Sequence, residues 1–492
     1  MDTLNTILDK VNDKIKNTPI FFITNDAERA LGLEKLLINY HIICIDRNDI
    51  VDYMQHDKIK IFSLEKELNK INVIYRNSNR LLNHTLIQNY IKNYTQNSSA
   101  YLMFFKIAPN IERTAEKLGL KLLNTSSDLN RKYELKLSQY ESIKNLNINI
   151  PDTIISKLKD TNYNEIKSKL GNSFIIQFNR GHTGGGTIII DEEHELEDLK
   201  SKFPERTVKL VKYIHGPSFT LNGCITKYGI YWGGLSYQIT GIEECTSERL
   251  ATVGNDWYYC SKLDDKIKNQ IDNIVSKVGE EMAKNKFIGM FGLDIVVEQA
   301  SNKAYLIEIN ARQPASIPMF SKIQIINKEI PLNLLAICEF LEIEYTIDQK
   351  EYNYSASKPF EYAQLFIRNK FPNIATLIGG VKPGAYRLLG DNATYNWDKG
   401  SPKLKPNVIL LDDNNDLSLV LEEESYAIDD IKKGGLIILC SKEGKLINSN
   451  AEVARIQSMQ SLLDKDGQLK TWTKNVINGL NKYIILKELE ND

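Results

Sequence analysis

The chain has 492 residues, 42% hydrophobic and 25% charged, and its charges nearly cancel to a net of −1. That length holds two to four domains with ample core. The composition is that of an ordinary soluble globular protein, and the balanced charge offers nothing that calls for nucleic acid or an anionic membrane.

The six cysteines (Cys44, Cys224, Cys245, Cys260, Cys338, Cys440) are scattered and form no C-x-x-C pair. This argues for reduced thiols in a cytoplasmic setting and against zinc or a disulfide framework. The start, Met1-Asp2-Thr3-Leu4-Asn5, lacks a basic segment followed by an apolar run, so no signal peptide is expected. No apolar run is long enough to span a bilayer.

From about Pro19 to Asn124, apolar strand-like runs alternate with helical ones. "IFFIT" leads to an expected helix around Ala27 to Tyr40, then "IICID" and "VIYR". A helix around Thr85 to Lys92, the run "YLMFF", a helix around Ile111 to Leu118 and "KLLNT" follow. This alternation predicts a small parallel α/β domain. No glycine fingerprint follows its first strand, which argues against a nicotinamide site there. A helical stretch is expected around Asn130 to Asn145, a glycine-rich hairpin near residue 180, a strand "TVKLVKYI", a helix around Asp265 to Asn285, and a hairpin ending at Asn310. Beyond Glu351 come short strands ("YAQLFI", "VILLD", "GLIILC"), a helix from about Asn450 to Leu463 and another from Leu469 to Tyr483.

Two stretches carry chemistry. "RGHTGGGTIII", Arg180 to Ile190, lies between the strand Phe174–Phe178 and a second strand from Thr187. It opens no helix, so it is neither a dinucleotide fingerprint nor a P-loop. One reading is a flexible hairpin tip. The other is a phosphate cradle, because three consecutive glycines leave backbone N–H groups uncovered. The second stretch, Phe291 to Arg312, places two apolar strands around the turn Gln299–Lys303. Centred on Ser301, the hairpin sets Asp294 opposite Glu308, with Asn310 on the same face and Tyr305, Ile307 and Ile309 on the other. Opposed carboxylates repel unless a cation sits between them. Three oxygen donors suit Mg²⁺, or Mn²⁺ in its place. The bland alternative is a solvated polar face.

With "LVKYI" between them, these two stretches resemble the ATP-grasp superfamily, in its carboxylate–amine (peptide) ligase branch. The run Glu308-Ile309-Asn310-Ala311-Arg312 is the most specific motif. The resemblance implies a pre-ATP-grasp α/β domain over residues 1–128, an ATP-grasp fold of two α+β subdomains over 129–345, and a β-rich region ending in helices over 346–492. It implies metal ligands at Asp294, Glu308 and Asn310, and Arg312 near the reacting carboxylate or phosphoryl group. It also implies ATP contacts from Lys136, from the hairpin residues Gly181, His182, Thr183, Gly184, Gly185, Gly186 and Thr187, and from the hinge residues Lys212, Tyr213 and Ile214. The family places a second lysine on the strand entering the hairpin, where this chain has Gln177. An amide can hydrogen-bond the nucleotide but brings no charge. Arg180, three residues on, is the candidate replacement and a second catalytic cation, with His182 as a further contributor.

The polar, aromatic stretch Leu235 to Tyr259 is read either as a specificity loop, with Gln238, Arg249 and Asp256 touching substrate, or as a surface loop anchored by Trp257. The expected function is ATP-dependent joining of a small acid to an amine, an amino acid or peptide among them, through an acyl phosphate. A kinase or carboxylase on the same nucleotide site and a nucleotide-binding protein without turnover are the rivals. The sequence is compatible with a homo-oligomer.

Overall fold

In the computed structural model, residues 1–73, 76–95, 99–182, 185–389, 408–411, 417–431 and 435–489 are described, without the side chains of 180–182, 185 and 410. The N-terminal part is the expected parallel α/β unit. Its five strands lie in the order Lys60–Ser63, Tyr40–Cys44, Ile20–Ile23, Tyr101–Phe104, Lys121–Leu122, all parallel. The two central strands are buried along their whole length, as a sheet covered on both faces requires.

The helix expected from Ala27 to Tyr40 does not form. Only a short 3-10 turn, Ala27–Ala30, is present. Gly32 follows it with φ +116°, and a Cβ there would meet Ser321 Cβ at 2.7 Å, so the chain turns sharply against a neighbouring helix instead of continuing.

The middle of the chain builds two sheets that face each other. The smaller is antiparallel, in the order Thr153–Lys157, Thr207–Lys212, Phe174–His182, Gly185–Ile190. Helices Tyr163–Leu170 and Glu193–Lys202 back it, and Phe174, Ile176, Val208 and Leu210 fill the space between. The larger sheet begins with Lys303–Asn310, Gly289–Glu298, Ser218–Thr226, Gly229–Thr240 and Thr252–Asp256. The amphipathic helix Asp265–Lys284 packs on it, capped by Asp264, whose carboxylate accepts from the Ile267 amide at 2.8 Å.

The C-terminal part extends that larger sheet. Ala363–Arg368 pairs with Thr252–Asp256, and the β-rich region continues it to eleven strands. The helix expected over Asn450 to Leu463 is instead the strand Glu452–Ser458, paired on both sides with Ala363–Arg368 and Gly435–Cys440. Val453, Ala454 and Ile456 are buried there, and packing between two strands outweighs local helix preference. The last helix, Thr471–Tyr483, is present and is followed by a short strand, Ile485–Glu488, on Ala375–Gly379.

Candidate nucleotide and metal site

The two middle sheets, the N-terminal unit and the C-terminal strands enclose one cleft of about 1220 Å³. On its floor, Asp294 pairs with Glu308 and Gly292 with Asn310, the register expected for the carboxylate hairpin. Just beyond, Ile295 pairs with Leu306, so Ile307 is left as a β-bulge. The bulge reverses the faces toward the turn. Leu306 and Ala304 enter the core, while Ile307 lines the cleft beside Glu308, contrary to the strict alternation expected for Tyr305, Ile307 and Ile309.

Asp294 accepts from Thr220 Oγ1 (3.1 Å), Gln238 Nε2 (2.6 Å) and Asn310 Nδ2 (3.1 Å). This bond turns the Asn310 amide nitrogen toward Asp294 and leaves its oxygen as the lone-pair group that could face a cation. Burial and the facing Glu308 both raise the Asp294 pKa. Burial works against the Glu308 charge too, but Lys136 holds its pKa below the ordinary value. Two facing carboxylates and an amide oxygen, one acid already resisting ionisation, suit a hard divalent cation. Among the described residues no group of three or more His, Cys, Asp or Glu side chains could hold a metal ion, so any third protein donor beside Asp294 and Glu308 would have to be a group such as the Asn310 amide.

Lys136 is placed by a break in the helical stretch. Helix Ser127–Glu134 ends, Leu135 takes an extended conformation, and helix Lys136–Ile143 begins. The single helix expected here would have turned Glu134 and Lys136 apart; the break lets both reach the cleft. Lys136 Nζ lies 2.5 Å from Glu308 Oε1. Glu134 takes Lys106 at 2.5 Å and Arg312 at 3.0 Å. Gln139 and Asn130 donate to the carbonyls of Ile309 (2.9 Å) and Ala311 (2.8 Å), which fixes the EINAR strand against these helices.

On the opposite wall, Gln177 and Lys209 are cross-strand partners. Both are buried and both line the cleft. Gln177 Oε1 has no hydrogen-bond partner among the described residues. Burial and the nearby Lys136 lower the Lys209 pKa to about 8. Gly186, with φ +130°, and Thr187 line the same wall, as do Lys212, Tyr213 and Ile214. The Lys212 amide donates to the Asp152 carbonyl at 2.9 Å. The side chains of Arg180 and His182, and residues Thr183 and Gly184, lie outside the described residues, with Gly181 and Gly185 described only as strand backbone.

Lys209 is the residue that sequence reasoning missed. It sits on "TVKLVK", where alternation puts Lys209 and Val211 on the face away from the core residues Val208 and Leu210. That signal was readable; its pairing with Gln177, thirty-two positions away, was not.

The three candidates of the 235–259 stretch separate. Gln238 belongs to the site, but on the strand Gly229–Thr240, bonded to Asp294. Arg249 lies at the rim, 69% exposed, with Asp191 at 3.4 Å. Asp256 is not brought to the cleft. It is fully buried and accepts from the amides of Tyr258, Tyr259 and Leu462 (3.0 Å each) and from Ser461 Oγ (2.7 Å). It pins the C-terminal part to the larger sheet, so its polarity serves structure.

Comparison with known proteins fits this geometry. Residues 134–316 match the family model of the ATP-grasp domain. The chain is 24% identical over 312 residues to the carbamoyl phosphate synthase large chain of Sulfurisphaera tokodaii, which covers 61% of this chain and 28% of that protein. The chain thus spans little more than a quarter of the length of that curated relative. Among solved structures it is similar to N5-carboxyaminoimidazole synthase from Aspergillus clavatus, with TM-score 0.54, 10% identity, and coverage of 94% and 99% of the two chains. It is also similar to biotin carboxylase from Campylobacter jejuni, with TM-score 0.54, 12% identity, and coverage of 96% and 92%. At these identities the two structures show a shared fold. No helix among the described residues is long and apolar enough to cross a membrane.

Proposed function

We propose that this chain, which carries an ATP-grasp domain over residues 134–316, is an ATP-dependent ligase that joins a carboxylic acid to an amine and releases ADP and phosphate. The observation behind this reading is the pairing of Asp294 with Glu308 and Asn310, beside Lys136 and across the cleft from Gln177 and Lys209. A carboxylate is a poor electrophile at neutral pH. Its oxygen attacks the γ-phosphorus of ATP, the bond from that phosphorus to the β-bridging oxygen breaks, and ADP leaves. An amine nitrogen then attacks the acyl phosphate carbon and loses a proton, and phosphate departs. Such transfer depends on positioning and on cations that balance the phosphate charge.

In this chain Lys136, Lys209 and Arg312 supply fixed positive charge, and Lys209 brings what the amide at Gln177 lacks. Arg180 joins them if its side chain reaches the cleft. The strands about Gly185, Gly186 and Thr187 cover the phosphates and exclude water, which would hydrolyse the acyl phosphate. Lys212, Tyr213 and Ile214 line the adenine end. Mg²⁺, or Mn²⁺, held by Asp294, Glu308 and Asn310, neutralises phosphate charge when bound. The cleft exceeds the roughly 300–1,000 Å³ of a typical ligand pocket, which leaves room for ATP and a second substrate. The acid and amine are small molecules, with amino acids and peptides first among them. Carboxylation is the same chemistry with bicarbonate as the acid.

The test is a coupled assay for ADP and AMP over acids and amines, singly and in pairs, with bicarbonate included. ADP released only with a matched pair supports the ligase. AMP as product refutes it, and ADP with bicarbonate and one amine transfers the reading to a carboxylase.

A further inference from the structure

The strand Ile20–Ile23 delivers Asn25, Asp26, Glu28 and Arg29 to the far end of the cleft. There the Arg29 and Arg312 guanidiniums lie against one ring, 4.6 Å and 5.2 Å from the Phe105 centroid. Stacking on an aromatic face favours each cation, but two of them close together in a partly dry site repel. Arg312 has Glu134 as its counter-ion. Arg29 forms no ion pair or side-chain hydrogen bond among the described residues, and burial lowers its pKa.

Most charges around it are held in ion pairs, although Asp26, Asp46 and Glu65 outnumber Arg76 and Lys445 by one and Asp26 also favours the Arg29 charge through space. Arg76 binds both Asp26 and Asp46. Lys445 binds Asp46 at 2.6 Å and Glu65 at 2.7 Å. Arg455 holds Glu452 through two hydrogen bonds of 2.8 and 3.0 Å. Glu28 is the exception among these acids. Its carboxylate accepts from Asn48 Nδ2 at 3.3 Å and has no cation within ion-pairing distance among the described residues. Burial and the neighbouring Asp26 raise its pKa to about 7. The buried Asn25 Oδ1, three residues before it and also on the cleft wall, lacks a donor among the described residues.

Arg29 and Glu28 are therefore a cation and an acid on adjacent residues that both line the cleft without an ion-pair partner among the described residues, with an unused acceptor on the same segment. A neutral ligand would leave both charges unmatched, and a simple anion would leave Glu28. Both are half-buried in the cleft wall, where an unpaired charge is less well solvated than in open water, so the complement is a molecule bearing both signs. We propose that this end of the cleft binds a free amino acid, its carboxylate on Arg29 beside Arg312 and its ammonium on Glu28 and Asn25 Oδ1. The ligase reading is needed only for the later fate of that carboxylate, which Arg312 holds on the side of Glu308. Neither Glu28 nor Arg29 lies within the matched ATP-grasp region, so the N-terminal unit supplies this part of the specificity.

Direct binding tests it without turnover. The twenty standard amino acids are titrated one by one into the full chain by calorimetry, with and without ATP. The best binder is then compared with its α-amide and with its deaminated acid. We expect at least one amino acid to bind, and the amide and the deaminated acid to bind at least tenfold more weakly. Arg29→Gln should erase the preference for the carboxylate alone, and Glu28→Gln the preference for the amino group alone. Such selective losses cannot come from misfolding, because the ligand lacking the matching group would still bind each variant as it binds the wild type. Failure of every amino acid to bind, or wild-type discrimination in both variants, overturns the proposal. Amino acid binding that persists in a chain with no affinity for ATP would instead sink the ligase reading and leave this one standing.

Discussion

Glu308→Gln is the sharpest perturbation, because two opposing effects fall on one side chain. Considered as a hairpin, removing one of two facing carboxylates should stabilise the fold by about 0.2–1 kcal/mol. The structure adds Lys136, whose side chain is 6% exposed and lies 2.5 Å from a Glu308 that is 32% exposed. Breaking a fully buried pair costs about 3–5 kcal/mol, and a single hydrogen bond to a charged group is worth about 1.5–3 kcal/mol. Gln keeps the hydrogen bond, and Glu308 is one-third exposed, so about 2 kcal/mol is the reasonable loss. The net is a destabilisation of about 1–2 kcal/mol, or a fall of about 2–8 °C in Tm for a cooperative unit of 150–250 residues. The pH dependence carries a definite sign. Burial opposes the Glu308 charge, but Lys136 holds its pKa below the ordinary value of 4.5. The contribution of the pair is therefore present above that value and lost as pH falls through the depressed one. Wild type and variant should converge in acid. Turnover should fall by roughly 10²-fold or more, since a contact that stabilises the transferring phosphoryl group is gone. Melting curves from pH 3 to 8 and ADP release across a Mg²⁺ titration measure both. A variant that melts above wild type at neutral pH would show that carboxylate repulsion outweighs Lys136. Full turnover would remove Glu308 from the mechanism.

Lys209→Met should raise the KM for ATP by about tenfold or more, while Gln177→Ala costs less, because only the former removes a charge from the phosphate wall; equal losses in steady-state kinetics would refute the division of labour. With a Lys209 pKa of about 8, the cation is present below that value, so kcat/KM for ATP should decline above pH 8, and Lys209→Arg should abolish that decline. Gly186→Ala should weaken ATP binding in calorimetry with little change in Tm, since φ +130° is a conformation that alanine resists at the rim of the cleft. Asp256→Ala should lower stability by about 2–4 kcal/mol in denaturant unfolding, with ATP affinity unchanged, because its partners are three backbone amides, one of them fully buried, and the buried Ser461 hydroxyl.

What the sequence disclosed followed the reach of each signal. The pairing of Asp294 with Glu308 was legible from apolar alternation about a turn centred on Ser301, although the turn is one residue shorter than expected, with Glu298 paired to Lys303, and the bulge restores the register. The bulge at Ile307 was not, since one extra residue leaves the composition of both faces plausible. The strand at Glu452–Ser458 reads as a helix in the sequence because its partners lie elsewhere in the chain, and seven residues with Glu452 and Arg455 three positions apart fit either period. Asp256 and Gln238 show the same limit in polar residues. Both sit on strands of one sheet, yet one is consumed by backbone amides and the other by the carboxylate of Asp294. The carboxylate can only accept and the amide can also donate, but which partners the fold brings to each is not written in the local sequence. Lys209 carries the argument furthest. A charge that a nucleotide site requires need not stay at one sequence position, because neighbouring strands present equivalent positions on the same face. Antiparallel pairing brings Lys209 beside Gln177, so on the ligase reading proposed above the charge absent from one strand is supplied by the next. The departure at Gln177 is then evidence about where the cation sits, and no evidence that the site lacks one.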